Sequence, residues 1–273
     1  MDKTKEMETL ELFLNKPVSS SRSVMWEFAK LDGAVVHYPK KGRRGGFVYI
    51  PGTREDRVLL VARADTVWGS DYNHYKFPKQ RPFFKDGIYA NSTGETGIGA
   101  NDRAGCAILY LLRDMGHSLL ILERQEYGLA LATRELWCDF HELYNEMNRH
   151  RYMMEFDLCG ADGLKYYDMP ASDEFKKYMS EGFGYHEVSW DRKKSTDICE
   201  MCSSICGVNV SAGYYNESTP REKLNYKQWL NTYTKARALL EGEQPHFEEY
   251  YIDDWDFDPT DFDEEDQETE ETE

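Results

Sequence analysis

The stretch Gly99-Ala100-Asn101-Asp102-Arg103-Ala104-Gly105 decides how the rest of the chain is read. It joins a glycine-rich loop, Gly94 to Gly99, to an apolar run, Cys106-Ala107-Ile108-Leu109-Tyr110-Leu111-Leu112, with the character of a buried helix. Glycine lets a backbone turn sharply, and a carboxylate at the mouth of a helix is held by the dipole and the open N–H groups there. Asp102 so placed suits either a metal ion or a helix cap, and its neighbours have to decide between the two.

Outward from this turn lie apolar, β-branched runs of the kind buried on both faces of a sheet. Arg57-Val58-Leu59-Leu60-Val61-Ala62 ends in Arg63-Ala64-Asp65-Thr66-Val67, and His117-Ser118-Leu119-Leu120-Ile121-Leu122 ends in Glu123-Arg124-Gln125-Glu126. Tyr152-Met153-Met154-Glu155-Phe156 ends at Asp157, and Val208-Asn209-Val210-Ser211-Ala212 leads into the loop Gly213 to Pro220. Helical patterns occupy roughly 103–115, 129–148, 172–181 and 223–241. Near the start, helices over 7–15 and Val24 to Leu31 precede a hairpin of 34–38 with 46–50, joined by a basic loop. Strands alternating with helices predict an α/β fold, a three-layer αβα sandwich around a mostly parallel, twisted central sheet. Residues 69–98 read as one long polar and aromatic loop, too long for an ordinary connection and placed to line a site.

Asp65, Asp102, Glu126 and Asp157 all fall at strand carboxyl ends or loop-to-helix junctions, where open α/β sheets build their sites. Carboxylates converging on one rim repel each other unless a cation sits among them. The pattern leaves open whether that cation is a metal or an arginine.

These segments resemble the co-catalytic dizinc exopeptidases, the group of bacterial leucyl aminopeptidase, peptidase T and carboxypeptidase G. The resemblance covers most of residues 8–241, with its specific motifs between 57 and 221. A His-x-Asp-Thr-Val strand end is similar to Arg63-Ala64-Asp65-Thr66-Val67, and Gly-Ala-x-Asp-x-x-Gly is matched by Gly99 to Gly105. Gly-Glu-Glu-x-Gly aligns with Arg124-Gln125-Glu126-Tyr127-Gly128, Glu-Phe-Asp with Glu155-Phe156-Asp157, and Tyr-Tyr-Asn-Glu-His-Thr with Tyr214 to Thr219. By position the resemblance implies metal ligands at Asp102, Glu126 and Asp157, with Asp65 as the carboxylate that orients a ligand histidine. It also implies that both ligand histidines are replaced, by Arg63 and Ser218, and that the general-base glutamate is Gln125.

Each loss has a chemical consequence. Arginine has no lone pair to give a metal and stays protonated, so it pairs with carboxylates instead. An amide has no useful basicity, and general-base work is worth ~10²–10⁴-fold in rate. The expectation is a peptidase-like pseudoenzyme that acts by binding and carries no cofactor, its former site held by Arg63. The alternative is an active metal-dependent aminopeptidase or other hydrolase that uses zinc, or Mg²⁺ or Mn²⁺ on a carboxylate-rich site, with Glu123 or Glu217 as displaced base.

The totals bound the partners. Of 273 residues, 40% are hydrophobic and 14% aromatic, which suffices for a sizeable core. The net charge of −17 is concentrated at the end: residues 242–273 hold 16 acids and no Lys or Arg, leaving 34 acids against 33 bases elsewhere. A neutral body with an anionic tail argues against direct nucleic-acid binding. With no membrane-length apolar run and no signal-peptide core at the start, the expected place is the cytoplasm, with its cysteines reduced. Cys199, Cys202 and Cys206 have metal-like spacing but no fourth ligand follows, so they read as packed thiols. Residues 1–241 are expected to form one α/β domain and 242–273 a disordered acidic tail. Within the tail, acids and aromatics interleave over Tyr250 to Phe257, a docking motif for a basic, apolar groove on a protein partner. A peptide is the other expected ligand, bound in the old cleft.

Overall fold

The computed structural model describes residues 3–39, 45–66, 68, 80–123, 125–126, 129–189 and 196–247, with the side chains of 125–126 and 129–131 outside what it describes. Two helices open the chain, α1 (Lys5–Leu14) and α2 (Ser21–Ala29). Thr4 and Ser20 cap them by accepting the Met7 and Ser23 N–H groups. The strands β1 (Val35–His37) and β2 (Phe47–Ile50) pair antiparallel, and β3 (Leu59–Arg63) follows.

The next segment departs from the sequence expectation. Part of the stretch read as a long loop is a hairpin, β4 (Pro82–Lys85) with β5 (Ile88–Asn91). Its two-residue turn is Asp86-Gly87, both at positive φ, a strong hairpin signal between apolar residues that the reading as a loop passed over. Residues 69–79 of that stretch lie outside the described residues. Helix α3 (Ala100–Leu112) comes next, then β6 (Ser118–Leu122) and the short pair β7 (Gln125–Glu126) and β8 (Leu129–Ala130). The helical region expected over 129–148 is two helices, α4 (Leu131–Asp139) and α5 (His141–Met147), broken at Phe140, whose backbone leaves the helical region. The chain continues through β9 (Met153–Leu158), β10 (Gly163–Lys165), α6 (Asp173–Phe183), β11 (His186–Glu187) and α7 (Asp197–Met201). It then forms β12 (Gly207–Ser211), β13 (Tyr214–Tyr215), β14 (Lys223–Asn225) and α8 (Tyr226–Glu241).

Eight strands form the central sheet in the order β1-β2-β6-β3-β9-β12-β10-β11. Its middle, β6-β3-β9-β12, is parallel, and antiparallel neighbours flank it on both sides. Side chains alternate across it, as period-2 geometry demands. Val48, Leu60, Ile121 and Met154 pack against α1, α2, α3, α6 and α8, while Phe47, Val61, Leu120 and Met153 pack against α4, α5 and α7. The fold is therefore a three-layer αβα sandwich. A second sheet, β13-β14-β5-β4, stands beside it.

Helix α3 lies so near the sheet that a Cβ on Gly105 would come within 2.2 Å of the Phe156 carbonyl oxygen. That contact brings the start of α3 over the carboxyl ends of β3 and β9. After α8 the chain stays on the body through the last described residue. The Gln244 side-chain oxygen accepts the Tyr152 hydroxyl at 2.6 Å, and Phe247 is buried among Tyr152, Phe175 and Tyr178. The remainder of the acidic tail, 248–273, including Tyr250 to Phe257, lies outside the described residues, as does the basic loop at 40–44. Among the described residues no helix is long and apolar enough to cross a membrane.

Candidate functional site

Two parallel strands, β3 and β9, end at the rim where helix α3 begins, and their polar residues meet there. Arg63 is the last residue of β3, Asp65 stands two residues on, Asp102 is in the first turn of α3 and Asp157 near the end of β9. The Arg63 guanidinium donates from Nη2 to Asp102 Oδ2 at 2.5 Å. It lies 3.7 Å from Asp157 Oδ2 through Nη1, and 3.9 Å from Asp65 Oδ1 through Nε. A fourth carboxylate completes the ring, Asp197 of α7, with Oδ2 at 3.8 Å from Arg63 Nε. The Arg63 side chain is 14% exposed, and those of Asp102 and Asp197 are 1% and 2% exposed.

One guanidinium faces four carboxylates in a nearly dry setting, and the protonation of the group follows. Burial opposes the Arg63 charge, but the aspartates, Asp102 first, outweigh it and hold its pKa well above the ordinary value. Burial pushes the Asp102 carboxyl up, and the Asp157 carboxylate adds to this against the pull of Arg63. Burial likewise moves Asp197 up to about 7, with Arg63 pulling the other way. Asp197 therefore titrates near neutral pH. Glu155, fully buried behind Asp157, is raised by burial and then by Asp157 and Asp197.

A surrounding layer fixes these groups. Thr196 donates its hydroxyl to Glu155 Oε2 at 2.6 Å, and Tyr214 donates to the Asp157 main-chain oxygen at 2.9 Å. The Asn209 side-chain oxygen accepts the Asp157 N–H at 3.0 Å. The Cys106 thiol donates to the Arg63 carbonyl at 2.9 Å, tying α3 to the end of β3.

The other sequence-derived positions fare differently. Ser218 is exposed in the turn between β13 and β14, with φ at +61°, and takes no place in the buried ring. Gln125 and Glu126 lie in β7, and their side chains are outside the described residues. Glu123, considered as a displaced base, accepts the Ser21 hydroxyl at 2.5 Å and the Gly46 N–H at 3.3 Å. Cys202 and Cys206 are buried free thiols and Cys199 is half-buried. Asp197 and Glu155 were missed as site residues. Glu155 sits beside Asp157 within the quoted Glu-Phe-Asp strand end, whereas Asp197 has no local pattern and reaches the ring only through the folding of α7.

Among the described residues the ring does not suit a zinc pair. Zinc sites of this kind need neutral imidazole beside carboxylate, and the ring contains none. Its central cation is a side chain that cannot ligate, bonded to Asp102 and flanked by Asp65, Asp157 and Asp197. Among the described residues no three His, Cys, Asp or Glu side chains are grouped to hold a metal ion.

The fold is shared with solved peptidases. The chain is similar to aminopeptidase PepT from Bacillus cereus, with a TM-score of 0.61 and 13% identity over 86% of this chain and 96% of that one. A tripeptidase from Staphylococcus aureus aligns with a TM-score of 0.60 and 12% identity over 88% and 98% of the two chains. An aminopeptidase from the archaeon Desulfurococcus kamchatkensis aligns at 0.58 and 12% identity over 89% and 97%. No protein-family model matches the chain, and no curated protein sequence does. At such identities the likeness is one of fold.

Proposed function

We propose that this protein is a peptidase-fold binding protein without hydrolytic activity, its former metal centre replaced by an internal ion-pair ring. The observation that carries the reading is the Arg63 guanidinium bonded to Asp102 and flanked by Asp65, Asp157 and Asp197. A charge-assisted bond of this kind is strong and fixed in direction, and it supplies no exchangeable position for water or a substrate oxygen. Gln125, at the position of the general base, cannot take a proton from water. Glu123 is already engaged by Ser21 and Gly46. The ligand is a peptide or amino acid bound in the cleft and left intact. The acidic and aromatic segment Tyr250 to Phe257 supplies a second contact, to a basic protein.

The competing reading is a hydrolase that loads Mg²⁺ or Mn²⁺ on Asp102, Glu126 and Asp157. It draws support from the excess of four aspartates over one guanidinium, and is weakened by the committed state of Glu123. An aminopeptidase panel, run on the purified protein with Zn²⁺, Mg²⁺ or Mn²⁺ added, separates the two. The expected result is no turnover above the enzyme-free rate under any condition. Saturable cleavage of any substrate that disappears on chelation would favour the hydrolase.

A further inference from the structure

Helix α3 is preceded by Gly99, which has no side chain of its own to cap it. The first N–H groups of any helix lack partners within it and must find them elsewhere. Here they are met from the far end of the chain. Glu222, just before β14, accepts the Gly99 N–H on Oε2 at 2.7 Å and the Asn101 N–H on Oε1 at 2.8 Å. Its side chain is buried, and a Cβ on Gly97 would lie 2.2 Å from Glu222 Oε2, so the glycine-rich loop leaves the space this carboxylate fills. On the other side of the junction Arg103, fully buried, donates to the main-chain oxygens of Lys16 and Pro17. Asp102 stands between two clamps.

We propose that Glu222 is the positioning residue of the buried ring, holding the start of α3 so that the Asp102 carboxylate meets Arg63. Both of its oxygens are used, one on each of two N–H groups two residues apart. That fixes the peptide planes leading into Asp102, and with them the direction of its side chain. The ion pair is what Glu222 positions, so the role stands whether or not the site hydrolyses anything.

The test uses the full chain, isotope-labelled, as wild type, Glu222→Gln and Glu222→Ala. Glutamine offers one oxygen and one NH₂ group, so it keeps one of the two bonds and turns a donor towards the other N–H. In Glu222→Gln one of the Gly99 and Asn101 amides should exchange about tenfold faster relative to the β3 amides, as expected for one lost buried bond. The Arg63 guanidinium resonances should shift with it. In Glu222→Ala both amides should accelerate; if that variant does not fold, Glu222→Gln carries the test. Unchanged exchange at both amides in Glu222→Gln would overturn the proposal. So would general acceleration, β3 included, with Arg63 resonances at their wild-type positions, because that would make Glu222 an ordinary packing residue.

Discussion

Arg63 and Asp102, 39 residues apart in sequence, share a charged hydrogen bond at the carboxyl rim of the central sheet. The bond exists because β3 delivers an arginine where the parallel strands end and α3 delivers a carboxylate at its first turn. Three further aspartates crowd the same guanidinium. The ring makes Arg63 the internal counter-ion of its own fold, and several consequences can be measured.

Removing that counter-ion should be costly. Arg63→Ala leaves buried carboxylates without their cation, a change that typically costs about 3–5 kcal/mol. Urea unfolding should show a loss of that order. Arg63→Met combined with Asp102→Asn should recover part of it, since the pair is then removed together. An Arg63→Ala variant as stable as wild type would mean the ring contributes nothing to folding.

Arg63→His should change the chemistry rather than only the stability. It places an imidazole beside Asp102 and Asp157, a ligand type that suits zinc. The expected outcome is about one zinc per chain after loading and gel filtration, read by elemental analysis, at the usual one-ion stoichiometry of such a site. Ser218→His alone should gain none, because that position is exposed in its turn.

Much of this was legible in the sequence, for physical reasons that differ by residue. The buried strands advertise themselves because a strand covered on both faces is apolar throughout, as Leu59 to Ala62 and Ser118 to Leu122 are. Asp102 is legible because the glycines around it are demanded by geometry, Gly105 by the approach of Phe156. Asp197 and Glu222 were not, since each acts on partners more than 90 residues away with no local pattern to mark it. Asp102 pairs with Arg63, as the tendency of a buried arginine to pair with carboxylates leads one to expect, and the helix cap is Glu222. The Asp86-Gly87 turn carries a hairpin signature of its own, which the surrounding polar and aromatic residues mask.

Stability should fall with rising pH through the buried acids. Burial raises Glu222 from its ordinary 4.5 to about 7, so the folded chain holds a proton that the unfolded chain releases. That contribution is fully present below about pH 4.5 and is lost as the pH rises through about 7. Glu222→Gln cannot titrate, so the stability of wild type relative to it should decline between pH 5 and 8, as urea titrations at the two values would show. His150, which burial lowers to about 4, acts in the opposite direction but is common to both proteins and cancels in the difference. A difference independent of pH would contradict the assignment.

The body does not stop at the end of α8. The Gln244 N–H donates to Asp56 Oδ2 at 2.8 Å, and Phe247 fills a gap beside Tyr152 at the rim opposite the aspartates. Truncation after Glu241 should therefore destabilise the protein by about 3–5 kcal/mol, the usual cost of losing a large buried aromatic. Truncation after Phe247 should leave the urea midpoint unchanged. If that second truncation also leaves every protein partner in a pull-down unchanged, the docking role proposed for Tyr250 to Phe257 is wrong.

Gly105→Ala probes the approach of α3 to β9. Its Cβ would meet the Phe156 oxygen at 2.2 Å, so the helix has to move outward. Overpacking of this kind costs about 1–3 kcal/mol, and the shift should loosen the Arg63–Asp102 bond as well. Thermal unfolding together with the Arg63 resonances would record both effects.

We propose that Arg63 stands where the resemblance implies a metal-ligand histidine. Elemental analysis of the protein, purified without chelator and dialysed against zinc-containing buffer, tests it most directly. Far less than one zinc per chain is expected. One or two zinc ions per chain, retained through gel filtration by the wild-type sequence, would contradict it.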